Sequence, residues 1–223
     1  MEQISYYNKS LTKKNKLLRK YLFNQKYIYH PSFLQKLKLK SDTFIVNNML
    51  SPYTRLYNLP WTIIFFQQKY NIENNFPHTH GDTILFPSSF FSLPKNERLK
   101  LLVHEKIHVY QRFHPIPYHK ILFLHFNLQV EQLVQSHKDF ENIRQNPDNN
   151  DLIYSDHGQY TLPLFSTYAT SIADVQFQDF NTHDKLTTYS KLNKNEHPNE
   201  TFAHFLTNAI FQNNVPKIIQ SFV

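Results

Sequence analysis

The chain has 223 residues and contains no cysteine. Disulfide bonds and thiolate metal sites are therefore excluded, and histidine, aspartate and glutamate remain as the strong side-chain ligands for a metal ion. Only two glycines occur, Gly81 and Gly158, so the chain lacks the glycine-rich loops that hold phosphates or dinucleotides. Nucleotide chemistry is disfavoured for that reason.

Long apolar runs are also missing. The most apolar short segment, residues 61–66, is far below the roughly 20 residues that a membrane-spanning helix needs. The first 20 residues have no apolar core of the kind found in signal peptides, because basic residues interrupt them throughout. From these absences we expect a soluble intracellular protein, located in the cytoplasm.

Acidic residues are fewer than basic ones, 17 against 24, and the formal net charge is +7. Much of the excess lies in one N-terminal cluster, which consists of Lys13, Lys14, Lys16, Arg19 and Lys20. Such a cluster is typical of contact with nucleic acid or an anionic surface, but a solvated face of a lysine-rich protein gives the same pattern. We expect residues 1–50 to form a basic helical extension that packs on a core domain, residues 51–223.

The rest of the chain mixes helical and strand-like patterns, with 20 phenylalanines and 14 tyrosines to build the core. Ser92 and Pro94 predict the start of a central helix that Pro115 ends. We expect a further helix at residues 118–144 and a last one that begins within the HPNE sequence and runs from Pro198 to about Phe211. Strands are predicted at residues 43–46, 61–66 and, after a turn around Gly81, 83–86. The pattern predicts an α+β fold with a small mixed sheet.

The central helix carries the sequence His104-Glu105-Lys106-Ile107-His108, an HExxH motif. Histidines four residues apart lie on one face of a helix, so both imidazoles can reach one zinc ion. The glutamate beside the first histidine can then activate a water molecule. Two histidines that make ordinary hydrogen bonds are the alternative interpretation, but the apolar residues around the motif favour a buried metal-binding helix.

A catalytic zinc ion takes three protein ligands, and three residues compete for the third position. Glu200 is favoured, because it lies in the first turn of the last predicted helix. His114 has the spacing of the HExxHxxGxxH signature, but Gln111 replaces its glycine and both methionines precede the motif. Glu131 lies at a distance not far from that in thermolysin-like enzymes, within the helix predicted at residues 118–144.

Three blocks of the chain together resemble the compact gluzincins, also called minigluzincins, which have a lethal-factor-like zincin core. They are HTHGDTILFP at residues 78–87, LLVHEKIHVYQR at 101–112 and HPNETFAHFLTNAI at 197–210. The resemblance implies an edge strand beside the cleft, an active-site helix and a helix with the glutamate ligand, in that order. Thermolysin-like gluzincins have an aspartate four residues after that glutamate, and this chain has His204 there.

The resemblance implies a zinc-dependent peptidase that acts on a protein or peptide substrate, with Glu105 as the general base. A substrate strand would pair with the edge strand, for which Thr83 and Leu85 are the candidate residues. Tyr154, Tyr160, His197 and His204 are candidates to stabilise the oxyanion, from their residue types alone, and Tyr154 and His204 are preferred. The alternative is a basic nucleic-acid-binding or scaffold protein with a structural or inactive zincin core. Glu105 argues against the alternative, because a structural zinc ion does not need that carboxylate.

Overall fold

The computed structural model of the chain describes residues 24–133, 136–137, 142–144, 148, 152–165, 175–181 and 197–223. The chain forms two compact units, one made of Tyr21–Tyr118 with Phe202–Val223 and the other containing His119–Thr201. The predicted division into residues 1–50 and 51–223 stays a prediction. The basic cluster at residues 13–20 lies outside the described residues.

The unit that contains residues 24–118 has a four-stranded mixed sheet, as the sequence predicts. Its strands are β1 (Ile28–Tyr29), β2 (Thr62–Phe66), β3 (His78–His80) and β4 (Thr83–Pro87). The strand order is β1-β2-β4-β3, with β2 and β4 parallel and the outer two strands antiparallel to their neighbours. The predictions of strands at residues 61–66 and 83–86 are confirmed.

A tight hairpin joins β3 to β4. Gly81 has φ of 59°, and with Asp82 it forms a two-residue turn that brings His80 opposite Thr83. A positive φ at the first central residue of such a turn favours glycine, which has no Cβ to clash with the backbone. The hairpin places β3 along one side of β4 while β2 occupies the other side.

The helix α1 (Phe33–Leu50) and the short helix α2 (Thr54–Tyr57) belong to the same unit. The strand predicted at residues 43–46 is wrong, because these residues lie inside α1. Ser32 caps α1 with a capping box: its side chain accepts from the Gln35 amide, and the Gln35 side chain accepts from the Ser32 amide. This start signal and the packing of one face of α1 outweigh the strand preference of its β-branched residues.

The central helix α3 (Lys95–Phe113) confirms the prediction that a helix follows Pro94 and stops before Pro115. Its fully buried side chains include Leu102, Val103 and Ile107. Arg98 on α3 forms a buried ion pair with Asp42 on α1, with 2.7 Å between Nε and Oδ2. This pair fixes α3 against α1.

Lys106 on α3 is fully buried. Its Nζ lies 4.0 Å from the centroid of the Trp61 ring, and burial lowers its pKa to about 8. The ring face stabilises the ammonium group by a cation–π interaction, which compensates in part for the loss of water.

Three more helices follow. They are α4 (Pro115–Phe126), α5 (Pro198–Phe211) and α6 (Lys217–Gln220). The prediction of a helix that begins within the HPNE sequence is confirmed by α5. The unit boundaries fall inside α4 and α5, so that most of α5, from Phe202 onward, belongs to the unit that contains α3.

The unit that contains His119–Thr201 has two antiparallel strand pairs. β5 (Gln129–Leu133) pairs with β6 (Leu152–Ser155), and β7 (Gln159–Phe165) pairs with β8 (Val175–Asn181). The helix predicted at residues 118–144 is wrong at residues 127–133, because the helix ends at Phe126 and Gln129–Leu133 form a strand. Asn127 adopts φ of 58°, and its amide donates to the carbonyl of Phe123, which is the bond of an αL cap. The Leu128 amide donates to the carbonyl of Leu122.

Among the residues that the structure describes, no helix is both long enough and apolar enough to cross a bilayer.

Candidate metal centre

His104 and His108 lie one turn apart on α3 with their rings together. Their Nε2 atoms are 3.1 Å apart and their ring centroids 4.7 Å apart. His108 is fully buried and His104 is half-buried. The helix therefore brings two imidazole nitrogens to one point, as the HExxH spacing predicts.

A hydrogen bond to Gln111 sets the tautomer of His108. The Nδ1 atom of His108 lies 2.9 Å from Oε1 of Gln111, which is itself buried. Because the amide oxygen only accepts, Nδ1 carries the proton and Nε2 of a neutral ring presents its lone pair. Metal-binding histidines in proteins commonly have such a partner on the other ring nitrogen. The sequence interpretation missed this role of Gln111, although three residues after His108 is a position on the same helix face.

Glu200 completes a group of three ligand side chains. It lies in the first turn of α5, and one ligand atom each from His104, His108 and Glu200 are all within 4.8 Å of one another. A ring contact explains how α5 is aligned: the His204 ring is 4.5 Å from the His104 ring, centroid to centroid. Since Glu200 precedes His204 by four residues, both side chains lie on the same face of α5.

The start of α5 is fixed by local contacts. The Asn199 amide donates to Nδ1 of His197 at 3.1 Å, so the His197 side chain caps the helix, and Pro198 occupies its first position. Asn199 also donates from its side chain to the carbonyl of Asp148 at 3.3 Å. These contacts hold the turn that carries Glu200.

The three residues fit a zinc ion by chemistry and by spacing. Two imidazoles and one carboxylate form a ligand set known from catalytic zinc sites. Zinc–nitrogen bonds of about 2.0–2.1 Å in a tetrahedral arrangement place two ligand atoms about 3.3–3.5 Å apart. The 3.1 Å between the two Nε2 atoms is close to that value. The group can therefore hold a metal ion after small side-chain movements.

Glu105 follows His104 directly on α3 and is 2% exposed. On an ideal helix, its side chain leaves the axis about 60° from that of His108. The carboxylate thus lies on the flank of the helix face that carries the two histidines, away from bulk water.

The edge strands of the sheet are β1 and β3, so Thr83 and Leu85, which were expected on an edge strand, do not lie on one. Both residues lie on β4, whose two sides are paired with β2 and β3. A further strand has no free side of β4 on which to pair, and the Leu85 side chain is buried. The sequence pattern suggested a turn around Gly81 but not that the residues before it form a strand.

Arg112 connects the edge strand to α3. Its guanidinium donates to the Thr79 hydroxyl, and Nη2 donates to the Thr79 carbonyl at 3.2 Å. In a two-residue hairpin closed by His80 and Thr83, the backbone groups of Thr79 point to the outer side of β3. The arginine therefore holds the outer edge of β3 beside the helix that carries the histidines.

The competing ligands lie elsewhere. His114 ends α3 with its ring 5.4 Å from the Tyr110 ring, centroid to centroid, and burial together with the nearby Arg55 lowers its pKa. Glu131 lies on β5 rather than on a helix and accepts from the Ser155 hydroxyl. Among the described residues, the group that could hold a metal ion consists of His104, His108 and Glu200 and includes neither of them.

Tyr154 lies on β6, where its hydroxyl is 3.1 Å from Nε2 of His119. Burial lowers the pKa of His119. Of the two preferred oxyanion candidates, His204 is exposed on α5, and its ring contacts the ring of His104, one of the three candidate metal ligands. Tyr154 instead contacts His119 and the ring of His197.

Comparison of the chain with models of protein families, with curated proteins and with solved structures finds no match.

Proposed function

We propose that the protein is a zinc-dependent peptidase in which His104, His108 and Glu200 hold the ion and Glu105 is the general base. One observation carries the proposal: the HExxH helix and a distant glutamate place three ligand atoms within 4.8 Å of one another. About 90 residues of chain separate His108 from Glu200, and close approach of two such segments needs a folded scaffold that aligns them. The resemblance of the three sequence blocks to gluzincins supports the same assignment.

A zinc ion held by these three residues would supply a Lewis acid that could polarise the scissile carbonyl and lower the pKa of water to about 7. Glu105 takes a proton from the attacking water and delivers it to the leaving amine. Its burial suits this role, since a carboxylate in a water-poor site exchanges protons with its immediate neighbours. Gln111 keeps the proton of His108 on Nδ1, so that Nε2 would be the nitrogen available to hold the ion.

The substrate would lie along β3. An extended peptide that pairs with an edge strand is bound by backbone hydrogen bonds. Arg112 donates to the hydroxyl and the carbonyl of Thr79 and so fixes β3 relative to α3. The susceptible bond of a peptide on β3 is thereby brought to the helix that carries His104 and Glu105.

The proposal is tested by replacing the base without changing the ligands. Glu105→Gln keeps the size of the side chain and removes its proton-accepting oxygen, so hydrolysis of a mixed peptide library should fall by a factor of at least about 100, with zinc content unchanged. Glu97→Gln is the matched control, because Glu97 is exposed in the first turn of the same helix. Its activity should equal that of the wild type.

Two outcomes contradict the proposal. One is a wild-type protein, purified without added zinc, that contains no metal and takes up none. The other is equal activity of the Glu105→Gln and wild-type proteins. Tight binding of nucleic acid by both proteins, without hydrolysis of any peptide, favours the scaffold alternative.

A further inference from the structure

Helix α1 presents a strip of exposed apolar side chains. Phe33, Leu37 and Phe44 are 74%, 48% and 66% exposed, and Leu34 beside them is 75% exposed. Residues at i, i+4 and i+11 of a helix fall within about 40° of one another, so the three form one line along its outer face. The opposite face, with Val46 and Leu50, is buried in the unit.

Within α1 itself, which is described throughout, the exposed charges beside this strip are all positive. Lys36 and Lys40 are exposed along one side of it. The single acidic residue of the helix, Asp42, is 2% exposed and paired with Arg98. Lys38 donates to the Phe91 carbonyl at 2.9 Å, which ties the helix to the unit. The outer face of α1 is therefore apolar and cationic.

We propose that α1 is a docking site for an anionic lipid surface, with Phe33, Leu37 and Phe44 in the interfacial region and Lys36 and Lys40 among the headgroups. Helices that bind in this way combine an apolar face with flanking lysines, and a second basic segment strengthens the binding. The chain supplies that segment just before α1, because residues 3–23 contain six basic residues and no acidic one. The inference is independent of the metal centre.

The positive charge on the outer face of α1 favours an anionic lipid surface over a second copy of the chain as the binding partner. Two copies that pair through this strip bring Lys36 and Lys40 of both into one interface, and each chain has a net charge of +7. Such pairing is opposed by repulsion between like charges, whereas an anionic membrane attracts the same lysines. The apolar strip and the lysines act together only on the lipid surface.

The test is sedimentation of the full chain with vesicles of phosphatidylcholine alone, or of phosphatidylcholine and phosphatidylserine at a ratio of about 3:1. We expect binding to the anionic vesicles that weakens as salt is raised. The triple variant Phe33→Ser/Leu37→Ser/Phe44→Ser should lower the partition coefficient at least about tenfold, since three apolar side chains leave the interface. Lys36→Glu/Lys40→Glu should lower it by a similar factor.

Two control variants test whether binding depends on α1 in particular rather than on any exposed apolar or cationic side chain. Ile116→Ser removes a side chain on α4 that is 70% exposed, and Lys95→Glu reverses an exposed lysine on α3. Both should bind within about twofold of the wild type. Circular dichroism should show every variant to be folded.

Three results would overturn the inference. A folded wild type that does not bind the anionic vesicles is the first. The second is binding by both α1 variants at the wild-type level, which would assign the lipid contact to the N-terminal basic segment alone. A wild-type protein whose mass in solution is that of a dimer, and whose triple variant is a monomer, would assign the strip to a second copy.

Discussion

At the scale of single residues, the hydrogen bond from His108 to Gln111 determines which ring nitrogen is available to a metal ion. Gln111→Leu removes the acceptor and keeps a side chain of similar size. The tautomer of His108 is then no longer fixed, and we expect zinc affinity to fall by about 10–100-fold. Competition with a chromophoric chelator measures this change. Gln111→Glu keeps an acceptor and should bind zinc at least as tightly as the wild type; equal affinity in the Leu variant would show that the hydrogen bond has no role.

The third ligand is identified by comparing three alanine variants in the same chelator competition. Glu200→Ala should weaken zinc binding by more than the roughly 10–100-fold of an outer-shell change, because a direct ligand is lost. His114→Ala and Glu131→Ala should bind zinc like the wild type, since the metal-ligating group contains neither residue. Weakened binding in His114→Ala, with Glu200→Ala unchanged, would reverse the assignment.

His119 should make stability fall at acid pH. Burial lowers its pKa in the folded protein, so the unfolded chain binds the proton more readily. The contribution of His119 is fully present above the unfolded pKa of about 6.5 and is lost as pH falls through that value towards the folded pKa. His119→Gln should therefore show a smaller loss of unfolding free energy than the wild type between pH 7 and pH 5. Denaturant titrations of the metal-free proteins give the comparison, and parallel curves would rule the effect out.

The spacing of the motif was enough to predict that His104 and His108 would meet, because an α-helix repeats every 3.6 residues. Glu200 was favoured from its place after the Pro-Asn start signal, and α5 begins there. The roles of Gln111 and Arg112 could not be predicted, since they depend on rotamers and on the position of β3. Sequence spacing alone does not give either of these.

At the scale of elements, helix ends depend on backbone conformations that hydrophobic patterns do not reveal. The apolar pattern continues past Phe126 and predicts a helix as far as Arg144. The structure ends α4 at Asn127, whose side chain also donates to Asp156 at 3.2 Å. Asparagine is one of the few residues that tolerate the left-handed conformation, so Asn127 itself indicates a possible helix end. The apolar pattern around it does not.

Asn127 gives a direct test of that helix end. Asn127→Ala and Asn127→Gly both lose the hydrogen bond to Asp156, but only alanine has a Cβ that opposes a positive φ. We expect Asn127→Ala to be less stable than Asn127→Gly by about 1 kcal/mol. Thermal or urea unfolding measures the difference. If the two variants unfold alike, α4 does not end in the left-handed conformation.

The hairpin of β3 and β4 shows a second limit of sequence patterns. His78-Thr79-His80 is short and polar, and three residues give too few alternations to indicate a strand. Its pairing is fixed by the turn at Gly81 and by Arg112 from α3, both of which lie outside the segment. Strand β4 was predictable because it is a continuous apolar run before a proline.

At the scale of the whole molecule, metal binding should couple to stability, because an ion held by His104, His108 and Glu200 would link residues that are about 90 positions apart in the chain and that come together only on folding. A ligand that binds the folded state alone at about 100 times its dissociation constant adds about 2.7 kcal/mol. Zinc should thus raise the melting temperature of the metal-free protein by several degrees. His104→Ala/His108→Ala should lose this shift and His114→Ala should keep it. A shift of equal size in the double variant would place the zinc elsewhere.

The order of the ligands along the chain has a consequence for synthesis on the ribosome. His104 and His108 leave the ribosome first, and about 90 residues must be added before Glu200 follows, which takes about 5–20 s at ordinary rates of translation. His204, whose ring rests on His104, emerges later still. Under the proposed function, a growing chain would therefore carry the HExxH helix for several seconds without its third ligand, and it could not cleave itself or neighbouring chains before α5 has folded.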